Sequence, residues 1–505
     1  MSKNVFAQFC CRRFETTKSS QHNIHTLVPD ICNRMKNLST IQILLFIIIL
    51  PASIAFSGAN PKRKSTRAAK QRKPPTQNTA GADCPTNFLQ VLQTSCHTPR
   101  DLLKNVGQHL TTENDAEGKV ASLVLVRLAK MLIVMDNARF VESTSNSNPE
   151  DCRILEKNDD ADCRMLEKNE VAVVTAICKV LAQSIQLQGR HQKSKIGSSA
   201  VIHIDGGIEG VKATAILSRI LQRSSNNDAL SDATLQQMIN SCNAYDLKVM
   251  ESQHLSGLQW AFDCFKLQSD GIQLSDSTIQ GAYTELHLPF RVRPGFLTKY
   301  ASIGAAADSK SLELTLDNIR AQVDFSREEI KTSTDKVVTE RRETAWQGED
   351  NIPGFSYSGK VMDTRSFSPV VRQVRDVLHQ EMGSYYDCCL LNLYPDGDSG
   401  MRYHSDPEQG ELWGFDTSVV SVGATRRFAF RGISSNVVGE GGNGGKRKSS
   451  QPHNFVVMDG DVTHMFGDCQ FQFQHSVKTA EEKGERASRS SLVLKQCLNP
   501  MPMQQ

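Results

Sequence analysis

Aromatic side chains are scarce in this chain, at 6% of 505 residues with 3 tryptophans and 8 tyrosines. Net charge is almost missing as well. The 58 Lys and Arg against 55 Asp and Glu leave +3, so any affinity for a polyanion must come from local clusters. No apolar run approaches the roughly 20 residues that a membrane-spanning helix needs; Ile43–Leu50 spans only eight. No CxxC pair with a downstream partner occurs, which excludes a zinc ribbon. The 14 cysteines are scattered, apart from the doublets Cys10-Cys11 and Cys388-Cys389. A chain this long does not need disulfide staples, so free thiols in a reducing compartment are expected. With 39% hydrophobic and 22% charged residues the composition is that of a soluble, cored protein. At roughly 150 residues per domain, about three domains are expected.

Acidic residues are also absent from Ile31 to Ala82, which marks the N-terminal region as an address rather than a fold. Ile43–Leu50 is followed by Pro51 and the small residues Ala52-Ser53-Ile54-Ala55, as in a signal peptide cleaved after Ala55. Met35-Lys36 supplies the short basic flank such a peptide needs, which makes Met35 a second candidate start. After Phe56, residues 57–83 carry seven Lys/Arg among Ser, Thr and Ala, the composition of a transit peptide. The Ala-Ser-Ile-Ala-Phe56 junction resembles the bipartite plastid-targeting signals of algae with complex plastids. That resemblance implies a plastid location and a mature form without a stable membrane anchor. The competing reading of Lys62-Arg63-Lys64 is a nuclear-localisation or nucleic-acid-binding arm.

Residues 84–285 read as an all-α domain. Val120, Leu123, Val124, Val126, Leu128, Leu132 and Ile133 recur at helical spacing, as do Val171, Val174, Ile177, Val180, Leu181 and Ile185. Ser231 or Asp232 is placed to cap the segment 233–240. A near-exact duplication, DCRILEKN at Asp151 and DCRMLEKN at Asp162, lies in a polar stretch and reads as part of a disordered loop near 143–169. No fixed repeat of 30–45 residues supports a solenoid, so a compact bundle packed on the catalytic domain is expected.

From residue 286 to 498 the texture changes to short alternating segments bounded by Gly, Pro, Asp and Ser. Val419–Gly423, Arg427–Arg431, Asn454–Met458 and Ser490–Leu494 read as strands of an antiparallel jelly roll. The overall class is therefore α+β, with a helical domain preceding a double-stranded β-helix. Segment 432–454, with its Gly-rich run and Lys446-Arg447-Lys448, reads as a flexible insertion in a hairpin. Tyr403-His404-Ser405-Asp406 places an imidazole and a carboxylate on one face of an extended segment, because strand periodicity is two. With a second histidine they would form a two-His-one-carboxylate site suited to ferrous iron. His464 and His475 are both candidates on spacing alone. On the segment 489–495 the alternate residues Arg489, Ser491, Val493 and Lys495 share a face that can hold a dicarboxylate, the planar Arg fork matching its carboxylate.

The segments NLYPDGDSGMRYHSDPE, SVGATRRFAF, QHSVK and RSSLVLK, with ERRETAWQ and FSYSG upstream, resemble the motifs of the AlkB family of 2-oxoglutarate- and Fe(II)-dependent dioxygenases. Within the family the likeness is nearest to members that repair alkylated DNA. The resemblance implies that His404, Asp406 and His475 are the catalytic iron ligands. It further implies that Asn392, Tyr394, Arg489, Ser491 and Lys495 hold 2-oxoglutarate. Lys495 and Ser491 stand where many relatives have Arg and Asn. Tyr357 matches an aromatic that stacks on the damaged base, and Glu408 an acid that contacts the base edge.

The family's cofactors are Fe(II), the cosubstrate 2-oxoglutarate and O2. The implied reaction is oxidative demethylation of N1-methyladenine or N3-methylcytosine, with DNA as partner and RNA as the nearest rival. A helical RNA- or protein-binding protein with an inactive oxygenase domain is the alternative of another class. Oligomeric state is not legible in the sequence.

Overall fold

The alternating segments that begin at Phe290 fold into two facing sheets. In the computed structural model, described here for residues 96–107, 115–141, 166–192, 201–223, 229–301, 312–331, 335–433 and 451–501, the larger sheet has seven strands. Their order is β1 (Phe290–Arg293), β13 (Val462–Met465), β10 (Trp413–Gly423), β15 (Arg489–Cys497), β8 (Cys388–Tyr394), β4 (Glu343–Gly348) and β7 (Arg365–Ser366). All neighbours are antiparallel except β4 and β7. The smaller sheet runs β12 (His453–Val457), β11 (Arg426–Gly432), β14 (Phe473–Val477) and β9 (Met401–His404). Two short hairpins, β2 (Glu329–Lys331) with β3 (Val337–Thr339) and β5 (Phe355–Tyr357) with β6 (Lys360–Met362), complete the domain. Gly423 ends β10 at φ +90°, where a Cβ would lie 2.8 Å from the Ser488 carbonyl oxygen. Glycine alone turns the chain there so tightly into β11.

The helical part comprises α1 (Pro99–Gly107), α2 (Asp115–Asn137), α3 (Lys168–Gln192), α4 (Val201–Arg223), α5 (Asp232–Cys242), α6 (Ser252–Gln268) and α7 (Thr278–Glu285). Ser231 caps α5, its hydroxyl accepting from the Thr234 N–H. Lys168–Gln188 of α3 is long and apolar enough to cross a bilayer, but half of it is buried within the fold against α2 and α5. Leu123, expected on the buried face of α2, is 47% exposed, because the apolar stripe there is wider than the neighbours that cover it.

These helices pack on the C-terminal domain through buried polar contacts. Arg219 of α4 donates to both Asp461 oxygens at 2.8 and 2.5 Å. Asn137 of α2 accepts from the Thr425 N–H at 2.7 Å and donates to Glu485 at 2.8 Å. Ser256 of α6 meets His453 Nδ1 at 2.8 Å.

Four further helices, α8 (Thr298–Ala301), α9 (Leu316–Gln322), α10 (Pro369–Met382) and α11 (Cys469–Gln472), belong to the C-terminal domain. Ile319, Val371, Val374 and Leu378 from α9 and α10 join Leu391, Val420, Leu492 and Leu494 in the core behind the larger sheet. The leader, the transit-like stretch and the duplicated octapeptides as far as Met165 lie outside the described residues, as do residues 434–450 of the expected insertion. The end of the second octapeptide, Leu166–Asn169, runs into α3 at Lys168 rather than continuing the expected loop.

Candidate active site

Antiparallel register carries chemistry-bearing residues from separate segments to one cleft. On β8 and β15, Tyr394 faces Arg489 and Asn392 faces Ser491. On β9 and β14, His404 faces His475. The cleft is walled by Asn392, Tyr394, His404, Asp406, His475, Ser491 and Lys495, together with Phe355, Trp413 and Phe428. It holds about 540 Å3 of empty space, continuous with solvent.

His404, Asp406 and His475 converge, with their ligand atoms within 4.8 Å of one another. Asp406 Oδ1 lies 3.5 Å from His404 Nε2 and 3.6 Å from His475 Nε2. The other carboxylate oxygen is held from behind by Lys495 Nζ at 2.6 Å. Gln470 of α11 clasps the same residue twice, accepting from the Asp406 N–H at 3.0 Å and approaching Oδ2 at 3.4 Å. The carboxylate is thereby oriented with one oxygen toward both imidazoles. Phe428 stacks parallel to the His475 ring at 5.8 Å and fixes its plane.

The electrostatics suit a cation. Burial disfavours the Asp406 charge, but Lys495, His475 and His404 outweigh it and hold the carboxyl well below the usual range. Burial also pushes the His475 imidazole down to about 3, so it is neutral and able to ligate at neutral pH. Two imidazole nitrogens and one carboxylate oxygen form the donor set of ferrous oxygenases. His464, the rival candidate, lies elsewhere, with its Nε2 2.7 Å from Asp416.

Behind the cleft-lining Tyr394 and Ser491 sits an unneutralised cation. Arg489 is 1% exposed. Its Nη2 donates to the Ser421 and Ser491 hydroxyls at 3.1 Å each, while Nε and Nη1 have no partner. Burial pulls the guanidinium down to about 10. Asn392 Oδ1 is buried without a partner as well. The unsatisfied Arg489 donors call for an anionic ligand, whereas Asn392 Oδ1 is an acceptor; 2-oxoglutarate has the carboxylates to meet the guanidinium.

The two base-contacting candidates are placed differently. Tyr357 lies at the rim, next to Phe355 on the same strand face, with ring centroids 5.6 Å apart. Its hydroxyl donates to Glu340 at 2.8 Å, and Arg342 and Lys360 lie 5.5 and 5.4 Å from its ring. Glu408 is exposed at φ +56° and does not wall the cleft. Two of the aromatics that do wall it, Phe355 and Trp413, went unread in the sequence. FSY carries a signal for Phe355, since alternation puts it on the face of Tyr357; Trp413 has none. Gln470 was likewise unread.

Residues 291–498 match the 2OG-Fe(II) oxygenase superfamily. An uncharacterized protein, R406, of Acanthamoeba polyphaga mimivirus is 31% identical over 177 residues, covering 35% of this chain and 84% of the relative. The DNA oxidative demethylase ALKBH2 of Bos taurus is 31% identical over 90 residues, 18% of this chain and 32% of the relative. Its Homo sapiens counterpart is 31% identical over 15% of this chain and 30% of the relative. The chain thus spans about a third of the ALKBH2 proteins it matches. Among solved structures, OsALKBH1 aligns over 41% of this chain and 97% of its own, at 13% identity and a TM-score of 0.25. A prolyl hydroxylase from Trichoplax adhaerens aligns over 42% and 84%, at 11% identity and the same TM-score. The chain therefore belongs to the 2OG-Fe(II) oxygenase superfamily, with Fe(II), 2-oxoglutarate and O2 as its cofactors.

Proposed function

We propose that this dioxygenase removes N-methyl groups from alkylated nucleobases, N1-methyladenine and N3-methylcytosine, in DNA. The observation that carries the reading is an aromatic wall beside the metal triad. Trp413 and Phe355 line the cleft at 5.7 Å from one another, and Tyr357 extends the same face to the rim. Such a row suits a planar base, each stacked ring contributing about 1–3 kcal/mol. The stretch similar to ALKBH2, a DNA oxidative demethylase by name, adds support.

His404, Asp406 and His475 would hold Fe(II), with Arg489, Asn392, Tyr394 and Ser491 holding 2-oxoglutarate. The bound iron and cosubstrate supply the oxidation: O2 and 2-oxoglutarate give succinate, carbon dioxide and one oxygen atom inserted into an N-methyl C–H bond. The N-hydroxymethyl product then releases formaldehyde and leaves the free base. The protein's share is placement. Lys495 and Gln470 fix the Asp406 carboxylate. Arg489 orients the cosubstrate by charge-assisted hydrogen bonds. The apolar wall of Leu390, Val419, Phe428 and Val493 excludes water from the reacting centre. A base within a duplex cannot reach this cleft, so it enters flipped or already unpaired. Tyr357 and Glu408 are assigned here to stacking and to the base edge, Tyr357 offering a face once Arg342 or Lys360, which lie over its ring, moves aside.

The test is base-resolved mass spectrometry after incubation with DNA and RNA oligonucleotides carrying N1-methyladenine. Loss of the methyl group from DNA at tenfold or higher efficiency supports the reading. Faster loss from RNA would reassign the substrate, and loss from neither would overturn it.

A further inference from the structure

On the far side of the sheet whose edge strand carries His404 lies a cluster of cations that the chemistry leaves unused. Two steps on β14, from His475 to Val477, face three on β9, from His404 back to Met401. The extra residue is a β-bulge, which re-aims side chains. Met401 and His404 both wall the cleft, and the two residues between them, Arg402 and Tyr403, are turned out of it. Alternation puts Arg427 and Arg431 of β11 and Lys478, just past β14, on that same outer face, since Phe428, His475 and Val477 point inward. Arg431 lies 4.3 Å and Lys478 Nζ 3.7 Å from the Tyr403 ring centroid. Both cations are thus held against one aromatic ring by cation–π attraction.

Carboxylates do not balance this group. Arg427 pairs with Glu481, which also meets Lys130 at 2.9 Å. No ion pair joins Arg402, Arg431 or Lys478 to a carboxylate among the described residues; the Arg431 contact is to the neutral Gln474 at 2.6 Å. Burial and then the nearby Arg431 pull the Lys478 ammonium below its usual value. Like charges gathered on one ring repel, and a bound anion relieves that repulsion.

We propose that Arg431 and Lys478, held against Tyr403 on the outer face of the smaller sheet, bind the phosphodiester backbone of the strand that delivers the base to the cleft. This rests on the nucleobase reading above. β9 is the edge strand of its sheet, and Tyr403 directly precedes His404. A strand wrapped around that edge passes from the cationic face to the iron site across the thickness of a single sheet, because adjacent residues of a strand point to opposite faces. Tyr403, covered by cations, acts as the spacer that holds them and not as a stacking platform.

The experiment titrates labelled single-stranded oligodeoxynucleotide, carrying one N1-methyladenine, into the full-length protein loaded with Mn(II) and 2-oxoglutarate, at several salt concentrations. Each phosphate contact to a single strand contributes about 0.7 to the slope of log affinity against log salt. The double variant Arg431→Gln with Lys478→Gln is expected to lower that slope by about 1.4 and to weaken binding ~10-fold at 0.1 M salt. Lys104→Gln with Lys266→Gln removes the same charge from the helical part and is expected to leave the slope in place. An Arg431/Lys478 slope equal to that of the unmodified protein overturns the proposal. If the unmodified protein demethylates the oligonucleotide and the slope holds, only the platform falls. If it neither binds nor demethylates nucleic acid, the platform and the substrate reading both fall.

Discussion

At the scale of single residues the site is organised by two buried cations with opposite tasks. Arg489 has donors waiting for an anion, and its loss should fall on the cosubstrate. Breaking a buried charge pair costs about 3–5 kcal/mol, so Arg489→Ala should raise the KM for 2-oxoglutarate by at least ~100-fold. Excess 2-oxoglutarate should restore part of the rate. An unchanged KM in steady-state kinetics would contradict this role. Lys495 instead fixes Asp406 Oδ2 at 2.6 Å. Lys495→Ala should weaken Mn(II) binding 10–100-fold, the usual loss when the partner of a ligand is removed. Calorimetric titration reads it directly, and metal affinity equal to the unmodified protein would assign Lys495 elsewhere. The convergence of His404 with Asp406 was legible from their H-x-D spacing, although β9 ends at His404 and Asp406 sits two residues past it rather than on the strand. Which side chain stands behind Asp406 was not, since Lys495 and Gln470 lie 89 and 64 residues away in sequence and no local pattern links them to it.

At the scale of elements, alternation located the strands well because a half-buried sheet enforces period two. The bulge in β9 escaped that reading, since one inserted residue leaves no mark on a short segment. The joint between α6 and β12 escaped it too: Ser256 and His453 are 197 positions apart. Burial holds the His453 imidazole down to about 4. The folded state therefore binds fewer protons than the unfolded chain, whose histidine titrates near 6.5. The stabilisation is fully present above about pH 6.5 and is lost as pH falls toward 4, by roughly 3 kcal/mol in all. Denaturant melts at pH 7 and pH 4.5 should show His453→Gln losing less stability on acidification than the unmodified protein. Equal losses would mean that another group governs the acid limb.

At the scale of the whole molecule, the helical part is bound to the oxygenase domain by charge as well as by apolar packing. The Arg219–Asp461 pair is 2% and 0% exposed, and Asp461 also accepts from the Gly295 and Met458 N–H groups. Arg219→Ala strands that carboxylate and should cost about 3–5 kcal/mol in equilibrium unfolding, against a negligible change for Arg365→Ala at the exposed Asp324 pair. For location, we propose plastid import directed by residues 35–82. A fluorescent fusion of residues 1–90 that enters the nucleus would contradict it. The central claim is that this cleft couples 2-oxoglutarate turnover to removal of an N-methyl group from a nucleobase. It is tested most directly by measuring succinate and formaldehyde together from the purified, Fe(II)-loaded protein with N1-methyladenine-containing single-stranded DNA. The account expects the two products in near-equal amounts, both abolished by His475→Ala. Succinate released without formaldehyde, at a rate indifferent to the methylated DNA, would contradict it.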